Sequence, residues 1–189
     1  MDKKWIILSS DYPLKSKWLN VRKDHIRMPK GVELDDFYIL EYPDWINVIA
    51  ITEEGDFVLE RQYRHGTQTV EYEICAGVIE KGEEPLAAAQ RELFEETGYG
   101  GGEWNLYCIT APNPAAMTNK NYTFLAKGVK QISSQHLENT EDIDVILLTP
   151  DEVKDVLTEG NMMQGIMQAP LWRLFYEEKC SRFSGNSFN

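Results

Sequence analysis

The sequence predicts an α+β protein in which a mixed β sheet lies between helices. Strand-like stretches occur on both sides of one central amphipathic helix, and two further helical patterns follow near the end of the chain. A length of 189 residues suits one sizeable domain. Hydrophobic residues make up 42% and charged residues 26% of the chain, as in ordinary folded proteins. We therefore expect an α/β/α sandwich, preceded by an antiparallel β layer.

The first part of the chain has the pattern of antiparallel β structure. Residues 17–44, "KWLNVRKDHIRMPKGVELDDFYILEYPD", contain three short strand-like stretches separated by "PKG" and "YPD". Residues 46–52 and 57–63 then form a predicted hairpin, whose turn uses Gly55 for its positive φ. We predict an N-terminal β extension over residues 1–45 and a main domain over residues 46–180.

A helix is predicted over about residues 84–97. Pro85 suits the first helical turn, and Gly98 suits the left-handed position that follows the last turn. Leu86, Ala89 and Leu93 recur at helical spacing and are predicted to face the core.

Three strand-like segments follow this helix, "WNLYCIT", "NYTFLAKGV" and "IDVILLT". Thr149, Pro150 and Glu152 then form a predicted capping box, which opens a helix through about residue 157. A last helix is predicted over about residues 163–178. Residues 181–189 form a polar tail that we expect to fray.

Charge and cysteine content restrict the classes of partner. The net charge of −12 disfavours nucleic-acid binding, and a phosphate-bearing substrate would have to bring cations with it. Cys75, Cys108 and Cys180 are odd in number and widely spaced, so they predict neither a disulfide framework nor a zinc site. The apolar run near the N-terminus is too short for a signal peptide or a membrane span. We expect a cytoplasmic protein without a membrane partner.

An acidic stripe on the central helix is the main functional signal. Glu92, Glu95 and Glu96 are three and four residues apart, so they share one helix face despite their mutual repulsion. A solvated acidic surface is the ordinary explanation of such a stripe. Glu83 and Arg91, however, are placed to contact the same face. This density of carboxylate oxygens suits Mg²⁺ or Mn²⁺.

Residues 77–99 resemble the signature of the Nudix hydrolases. The matching positions are Gly77, Glu83, Arg91, Glu92, Leu93, Glu95, Glu96 and Gly98. Tyr99 departs from the pattern, because it is aromatic where the family has an aliphatic residue. The resemblance implies a Nudix fold and metal-dependent hydrolysis of a nucleoside diphosphate linked to another group.

The same resemblance implies roles for individual residues. The side chains of Glu92, Glu95 and Glu96 and the main-chain carbonyl of Ala76 would be metal ligands. Glu95 is also expected to be catalytic, together with Arg91, which would support the loop with Glu83.

Residues 61–83, "RQYRHGTQTVEYEICAGVIEKGE", resemble the segment that precedes the signature in ADP-ribose pyrophosphatases. Cys75 stands where those enzymes usually have proline. By this resemblance Arg64 would contact a substrate phosphate, Glu73 would lie beside the metals and Pro114 would line the substrate. A surface salt bridge for Arg64 and a simple loop position for Pro114 are the alternatives.

Two further assignments come from the same subfamily. Glu141, with Glu138 as its substitute, resembles an additional glutamate that acts as general base or extra metal ligand, and a solvated acidic loop is the alternative. Trp18 and Trp45 are expected to stack on an adenine, although each could instead anchor a core or an interface.

These resemblances lead to one leading hypothesis and two alternatives. The leading hypothesis is hydrolysis of ADP-ribose to AMP and ribose 5-phosphate by a homodimer that is formed through residues 1–45. The first alternative is hydrolysis of another nucleotide sugar, such as GDP-mannose or an ADP- or UDP-hexose. The second is a non-catalytic sensor of ADP-ribose.

Overall fold

A computed structural model describes residues 3–184, which divide into two compact units. The first unit takes in residues 3–44 and 111–120, and the second takes in residues 45–110 and 121–184. Residues 185–189 of the predicted polar tail lie outside the described residues, whereas residues 181–184 continue the last helix. Within the described part of the chain, no helix is both long and apolar enough to cross a membrane.

The first unit contains a three-stranded antiparallel sheet in the order β1-β2-β3. Its strands are β1 (Ile6–Lys15), β2 (Asn20–Arg27) and β3 (Glu33–Glu41). The predicted antiparallel layer is therefore present, but residues 17–44 supply two of its strands and not three. The third strand is β1, which is exposed along its whole length. A strand without a buried face has no period-2 pattern, so the sequence did not reveal it.

The second unit is built on an eight-stranded mixed sheet. Its strands are β4 (Trp45–Thr52), β5 (Phe57–Arg64), β6 (Thr69–Glu73), β7 (Ala76–Val78), β8 (Tyr99–Gly100), β9 (Glu103–Thr110), β10 (Asn121–Gln131) and β11 (Ile143–Leu148). The central order is β11-β5-β4-β10-β8, with β6 paired to β5, β7 to β4 and β9 to β10. Strands β4 and β10 run parallel, and the other described pairs in this sheet are antiparallel.

The predicted hairpin is present as β4 and β5, and Gly55 in its turn has a φ of 97°. Strands β6, β7 and β8 were not predicted. They are only two to five residues long, which is too short for a hydrophobic period to be recognised.

Helices cover both faces of the sheet. They are α1 (Pro85–Thr97), α2 (Pro150–Thr158) and α3 (Gly165–Ser184). One buried cluster joins α1 to the sheet and includes Ile46, Val48, Ala88, Ala89 and Leu93. The other joins α2 and α3 to the sheet and includes Ile49, Leu59, Val153, Met167 and Leu171. Because neighbouring strand residues point to opposite faces, these clusters lie on opposite sides of the sheet, and the predicted α/β/α sandwich is confirmed.

The ends of α1 follow the sequence signals. Pro85 is its first residue, and Gly98 has a φ of 74° while its N–H donates to the carbonyl of Phe94 at 2.9 Å. The prediction that Leu86 faces the core is wrong, because that side chain is 40% exposed. The buried positions of α1 begin only at Ala88, so the first turn is exposed.

The capping box of α2 gives a stability prediction. The Glu152 N–H donates to the Thr149 hydroxyl at 3.3 Å, and the Thr149 N–H donates to the Glu152 carboxylate at 2.8 Å. We expect Thr149→Ala to lower the free energy of unfolding by about 1 kcal/mol, because one helix N–H loses its partner. Urea unfolding measures this loss. Thr149→Ser keeps the hydroxyl and should keep most of the stability, and equal losses in both variants would contradict the capping account.

Candidate functional site

The acidic stripe of α1 lies against the strand β7. A Cβ atom added at Gly77 would overlap the carboxyl group of Glu92, so this close approach requires glycine. The Glu92 side chain is only 14% exposed. Gly77 follows Ala76, and β7 pairs with β4 at the centre of the sheet. The sheet and the helix together hold the Glu92 carboxylate beside the backbone of residues 76–77.

Arg91 is the hub of an ion-pair network on this face. Its guanidinium donates to both oxygens of Glu83 at 2.9 and 3.0 Å and to the carbonyl of Val78 at 3.2 Å. The same group pairs with Glu92 at 2.9 Å and Glu95 at 3.2 Å. The hydrogen bond from Arg91 lowers the pKa of Glu83. These contacts give Arg91 a positioning role, which agrees with the loop support expected from sequence, and its direct catalytic role stays a prediction.

Glu96 is the most buried carboxylate of the stripe. It is 6% exposed, and its Oε2 has no hydrogen-bond partner among the described residues. Burial raises the pKa of Glu96 to about 8. Burial also raises the pKa of Glu92, one helical turn away. The backbone of Ala76 hydrogen-bonds the Glu96 carboxylate, so Glu96 and Ala76 are neighbours.

The donor set at this face fits a hard divalent cation. The predicted ligands offer only oxygens: the carboxylates of Glu92, Glu95 and Glu96 and the main-chain carbonyl of Ala76. Glu95 is 43% exposed, and the other two carboxylates are mostly withdrawn from water. A bound cation would supply the partner that the buried Glu96 oxygen lacks and would favour the ionised form of both buried carboxylates.

Glu141 lies within electrostatic reach of these carboxylates. Its negative charge contributes to the raised pKa of both Glu92 and Glu96. Its Oε2 accepts a hydrogen bond from the backbone N–H of Glu138 at 2.8 Å, which ties the loop to its side chain. Glu141, the first of the two glutamates considered from sequence, therefore acts electrostatically on the acidic stripe.

Arg64 and Glu73 form an ion pair on the adjacent strands β5 and β6. The Arg64 Nε donates to Glu73 Oε1 at 2.6 Å, and a second guanidinium N–H donates to Glu73 Oε2. Glu73 is 2% exposed, whereas the Arg64 side chain is 43% exposed. The salt-bridge alternative for Arg64 is therefore seen, with a buried partner. Its contact with a substrate phosphate stays a prediction.

Trp45, Trp18 and Pro114 are the other three predicted substrate residues, and Trp45 is the cross-strand partner of Val78 on β7. Trp45 is half-buried at the start of β4 in the second unit. Trp18 belongs to the first unit, where it is 62% exposed and Lys17 Nζ lies 4.2 Å from its ring centroid. Pro114 also belongs to the first unit, in a turn closed by a hydrogen bond from the Ala116 N–H to the Asn113 carbonyl. Their substrate contacts stay predictions.

Sequence reasoning missed Glu60. This β5 residue is 1% exposed, and neither of its carboxylate oxygens has a hydrogen-bond partner among the described residues. Burial and the nearby Glu96 charge raise its pKa. The strand pattern could have identified Glu60. It lies two residues after the buried Val58 and therefore on the same face of β5, where an apolar residue is expected.

The raised pKa of Glu96 predicts how metal-free stability depends on pH. The folded protein holds the Glu96 proton more tightly than the unfolded chain does. The contribution of this proton to the free energy of unfolding is therefore complete below the ordinary glutamate pKa of 4.5, and it is lost as pH rises through the folded pKa of about 8. We expect the melting temperature in EDTA to fall between about pH 4.5 and about pH 8. The fall should be smaller in Glu96→Gln, and the same fall in both proteins would contradict the assignment.

Comparisons with known proteins agree with this fold. Residues 42–165 match the family described as NUDIX domain, and residues 5–40 match the family described as nucleoside diphosphate sugar hydrolase N-terminal domain. The chain belongs to the Nudix family, as the signature predicted.

Individual relatives support the same conclusion. The "Methanol dehydrogenase activator" of Bacillus methanolicus is 34% identical over 142 residues, which are 75% of this chain and 76% of that protein. The "ADP-ribose pyrophosphatase" of Bacillus subtilis (strain 168) is 28% identical over 72% of this chain and 74% of its own length. The protein of the same name from Saccharomyces cerevisiae is 27% identical over 84% of this chain and 80% of its own length.

A solved structure confirms the predicted fold. The crystal structure described as an ADP compounds hydrolase superimposes with a TM-score of 0.81 at 20% identity. The superposition covers 95% of this chain and 96% of that chain.

Proposed function

We propose that this protein is a divalent-metal-dependent hydrolase that splits the diphosphate bond of a nucleoside diphosphate sugar. The first candidate substrate is ADP-ribose, with AMP and ribose 5-phosphate as the products. The observation that carries the proposal is the acidic face of α1, where Glu92 and Glu96 are withdrawn from water beside Ala76. The match of residues 5–40 and the relatives named ADP-ribose pyrophosphatase support the substrate class.

The site chemistry suits hydrolysis of a diphosphate. When bound, Mg²⁺ or Mn²⁺ would neutralise the phosphate charge and acidify water. Glu141 or Glu95 would accept the proton of the water that attacks phosphorus. Arg91 holds Glu83, Glu92 and Glu95 in place, and the half-exposed Arg64 is available to a substrate phosphate. No serine or cysteine nucleophile is needed, because water is the second reactant.

The intact acidic stripe favours catalysis over sensing. A sensor would need no carboxylates for turnover, whereas this chain keeps all three glutamates of the stripe. Hydrolysis of a GDP-, ADP- or UDP-hexose would use the same stripe, so the stripe does not choose among these substrates. The name of the relative called methanol dehydrogenase activator specifies no small-molecule substrate.

A substrate panel tests the proposal. ADP-ribose, GDP-mannose, ADP-glucose, UDP-glucose, NADH and diadenosine polyphosphates are incubated with Mg²⁺, with Mn²⁺ and with EDTA, and phosphatase-sensitive product is measured. We expect metal-dependent hydrolysis with preference for ADP-ribose. Preference for another nucleotide sugar would replace the substrate and keep the reaction. Binding of ADP-ribose without turnover of any compound would favour the sensor.

We also propose that the protein is a cytoplasmic homodimer that binds neither nucleic acid nor membranes. The net charge of −12 supports the exclusion of nucleic acid. The dimer is supported by strand β1 and its immediate flank, where large apolar side chains are exposed: Trp5, Ile6, Ile7, Leu8 and Leu14. An edge strand with exposed apolar side chains usually packs against another element or another protein chain. Light scattering after size-exclusion chromatography should give twice the chain mass, and a monomer at micromolar concentration would refute the dimer.

A further inference from the structure

A second group of potential ligands lies behind the acidic stripe, on the α1 face of the sheet. It consists of Glu60 on β5, Cys75 just before β7, and Glu96 near the end of α1. One ligand atom from each side chain lies within 4.8 Å of the other two. All three residues are buried, and Cys75 is fully inaccessible. Their positions in sequence are distant, so only the folded chain brings them together.

Among the described residues, Glu60 faces the like-charged Glu96 and is attracted by Arg64, but no cationic side chain hydrogen-bonds it. Both carboxylate oxygens are without a hydrogen-bond partner among the described residues, and the side chain is 1% exposed. Its cross-strand neighbour is Glu73, but Glu73 takes both donated hydrogen bonds of Arg64. The Arg64 charge attracts Glu60 without donating a hydrogen bond to it, and a buried carboxylate that is not hydrogen-bonded to a counter-charge is strongly disfavoured. A cation between Glu60 and Glu96 would remove this penalty.

The third donor determines the class of cation. Mg²⁺ binds oxygen and avoids sulfur, whereas borderline-soft divalent ions such as Zn²⁺ and Co²⁺ accept thiolate and carboxylate together. Cys75 is also the residue that replaces the usual proline of this turn. The Cys75 carbonyl accepts a hydrogen bond from the Val48 N–H at 2.8 Å, so the backbone that carries the thiol is anchored to the centre of the sheet.

We propose that Glu60, Cys75 and Glu96 form a buried binding site for a thiophilic divalent cation of the Zn²⁺ class. The site shares Glu96 with the proposed Mg²⁺ face and otherwise uses different side chains. Its existence does not depend on the proposed hydrolysis, because a thiolate–metal bond is detected without any substrate.

Cobalt spectroscopy tests the proposal. The full-length protein with Cys108→Ser and Cys180→Ser keeps Cys75 as its single thiol and is titrated with Co²⁺ after treatment with a chelator. We expect a thiolate-to-cobalt charge-transfer band that saturates at one equivalent and disappears when Zn²⁺ is added. Co²⁺ bound only at the oxygen donors of the Mg²⁺ face gives no such band. Absence of the band in this folded parent would overturn the proposal.

Three single variants in that parent identify the ligands. Cys75→Ser should abolish the band, and Glu60→Gln should weaken Co²⁺ binding by at least about tenfold. Glu92→Gln is the matched control, because it removes a carboxylate of the Mg²⁺ face alone and should leave the band intact. A band that is unchanged in folded Glu60→Gln would overturn the site. Circular dichroism checks that each variant is folded. If a variant does not fold, the presence or absence of the charge-transfer band in the parent decides whether the proposal stands.

Discussion

Glu96→Gln should reduce the turnover of the preferred substrate by about 1000-fold or more while the protein stays folded. The substitution removes a charged metal ligand, and such a ligand supports several kcal/mol of transition-state stabilisation. The fold should tolerate the change, because Glu96 is a buried carboxylate with an unpartnered oxygen and a raised pKa. Steady-state kinetics at saturating Mg²⁺ measures the loss, and thermal unfolding in EDTA measures the fold.

The control for this variant is Glu84→Gln, the same chemical change at the exposed start of α1. It should leave both turnover and melting temperature nearly unchanged. Equal rates for Glu96→Gln and the unmodified protein would show that Glu96 is not a metal ligand. A large fall in the melting temperature of Glu96→Gln would instead assign it a structural role.

Gly77→Ala should strongly reduce turnover, although it adds only one methyl group. That methyl group would overlap the Glu92 carboxyl, so Glu92 has to leave its place beside the backbone of β7. We expect turnover to fall by about 100-fold or more, since small misplacements of catalytic groups have effects of this size. The apparent Mg²⁺ affinity should weaken in parallel, and a titration of activity against Mg²⁺ measures both.

Gly66→Ala is the matched control, because a Cβ atom at Gly66 meets no other atom within 4 Å. It should keep full activity and Mg²⁺ affinity. If Gly77→Ala were equally active, the close approach of α1 to β7 would have no importance for the site.

The sequence predicted the elements whose signals are local. The capping box of α2, the glycine after α1 and the turn of the β4–β5 hairpin each depend on a few neighbouring residues, and all three are found in the structure. The acidic stripe was also predictable, because helical spacing alone places Glu92, Glu95 and Glu96 on one face. Patterns of this kind require no knowledge of the tertiary fold.

Features that depend on packing were not predictable in the same way. Leu86 fits the apolar stripe of α1, but the turn that carries it is exposed. Strand β1 has no buried face, so its sequence shows no alternation. The approach of Glu60 and Cys75 to Glu96 depends on strand order and on pairing across the sheet. Such contacts between distant segments leave no spacing rule in the chain.

The parallel pairing of β4 with β10 has a consequence for folding kinetics. Parallel neighbours need a long crossover, and here the crossover contains α1 and the whole acidic stripe. The sheet face on which α1 packs is complete only when β10 (Asn121–Gln131) has joined the sheet. A ribosome-bound chain that ends before β10 therefore carries the glutamates of α1 without the complete sheet that positions them. Distant pairing of this kind slows folding. We therefore expect metal affinity to develop late during refolding, after most of the helical signal has returned.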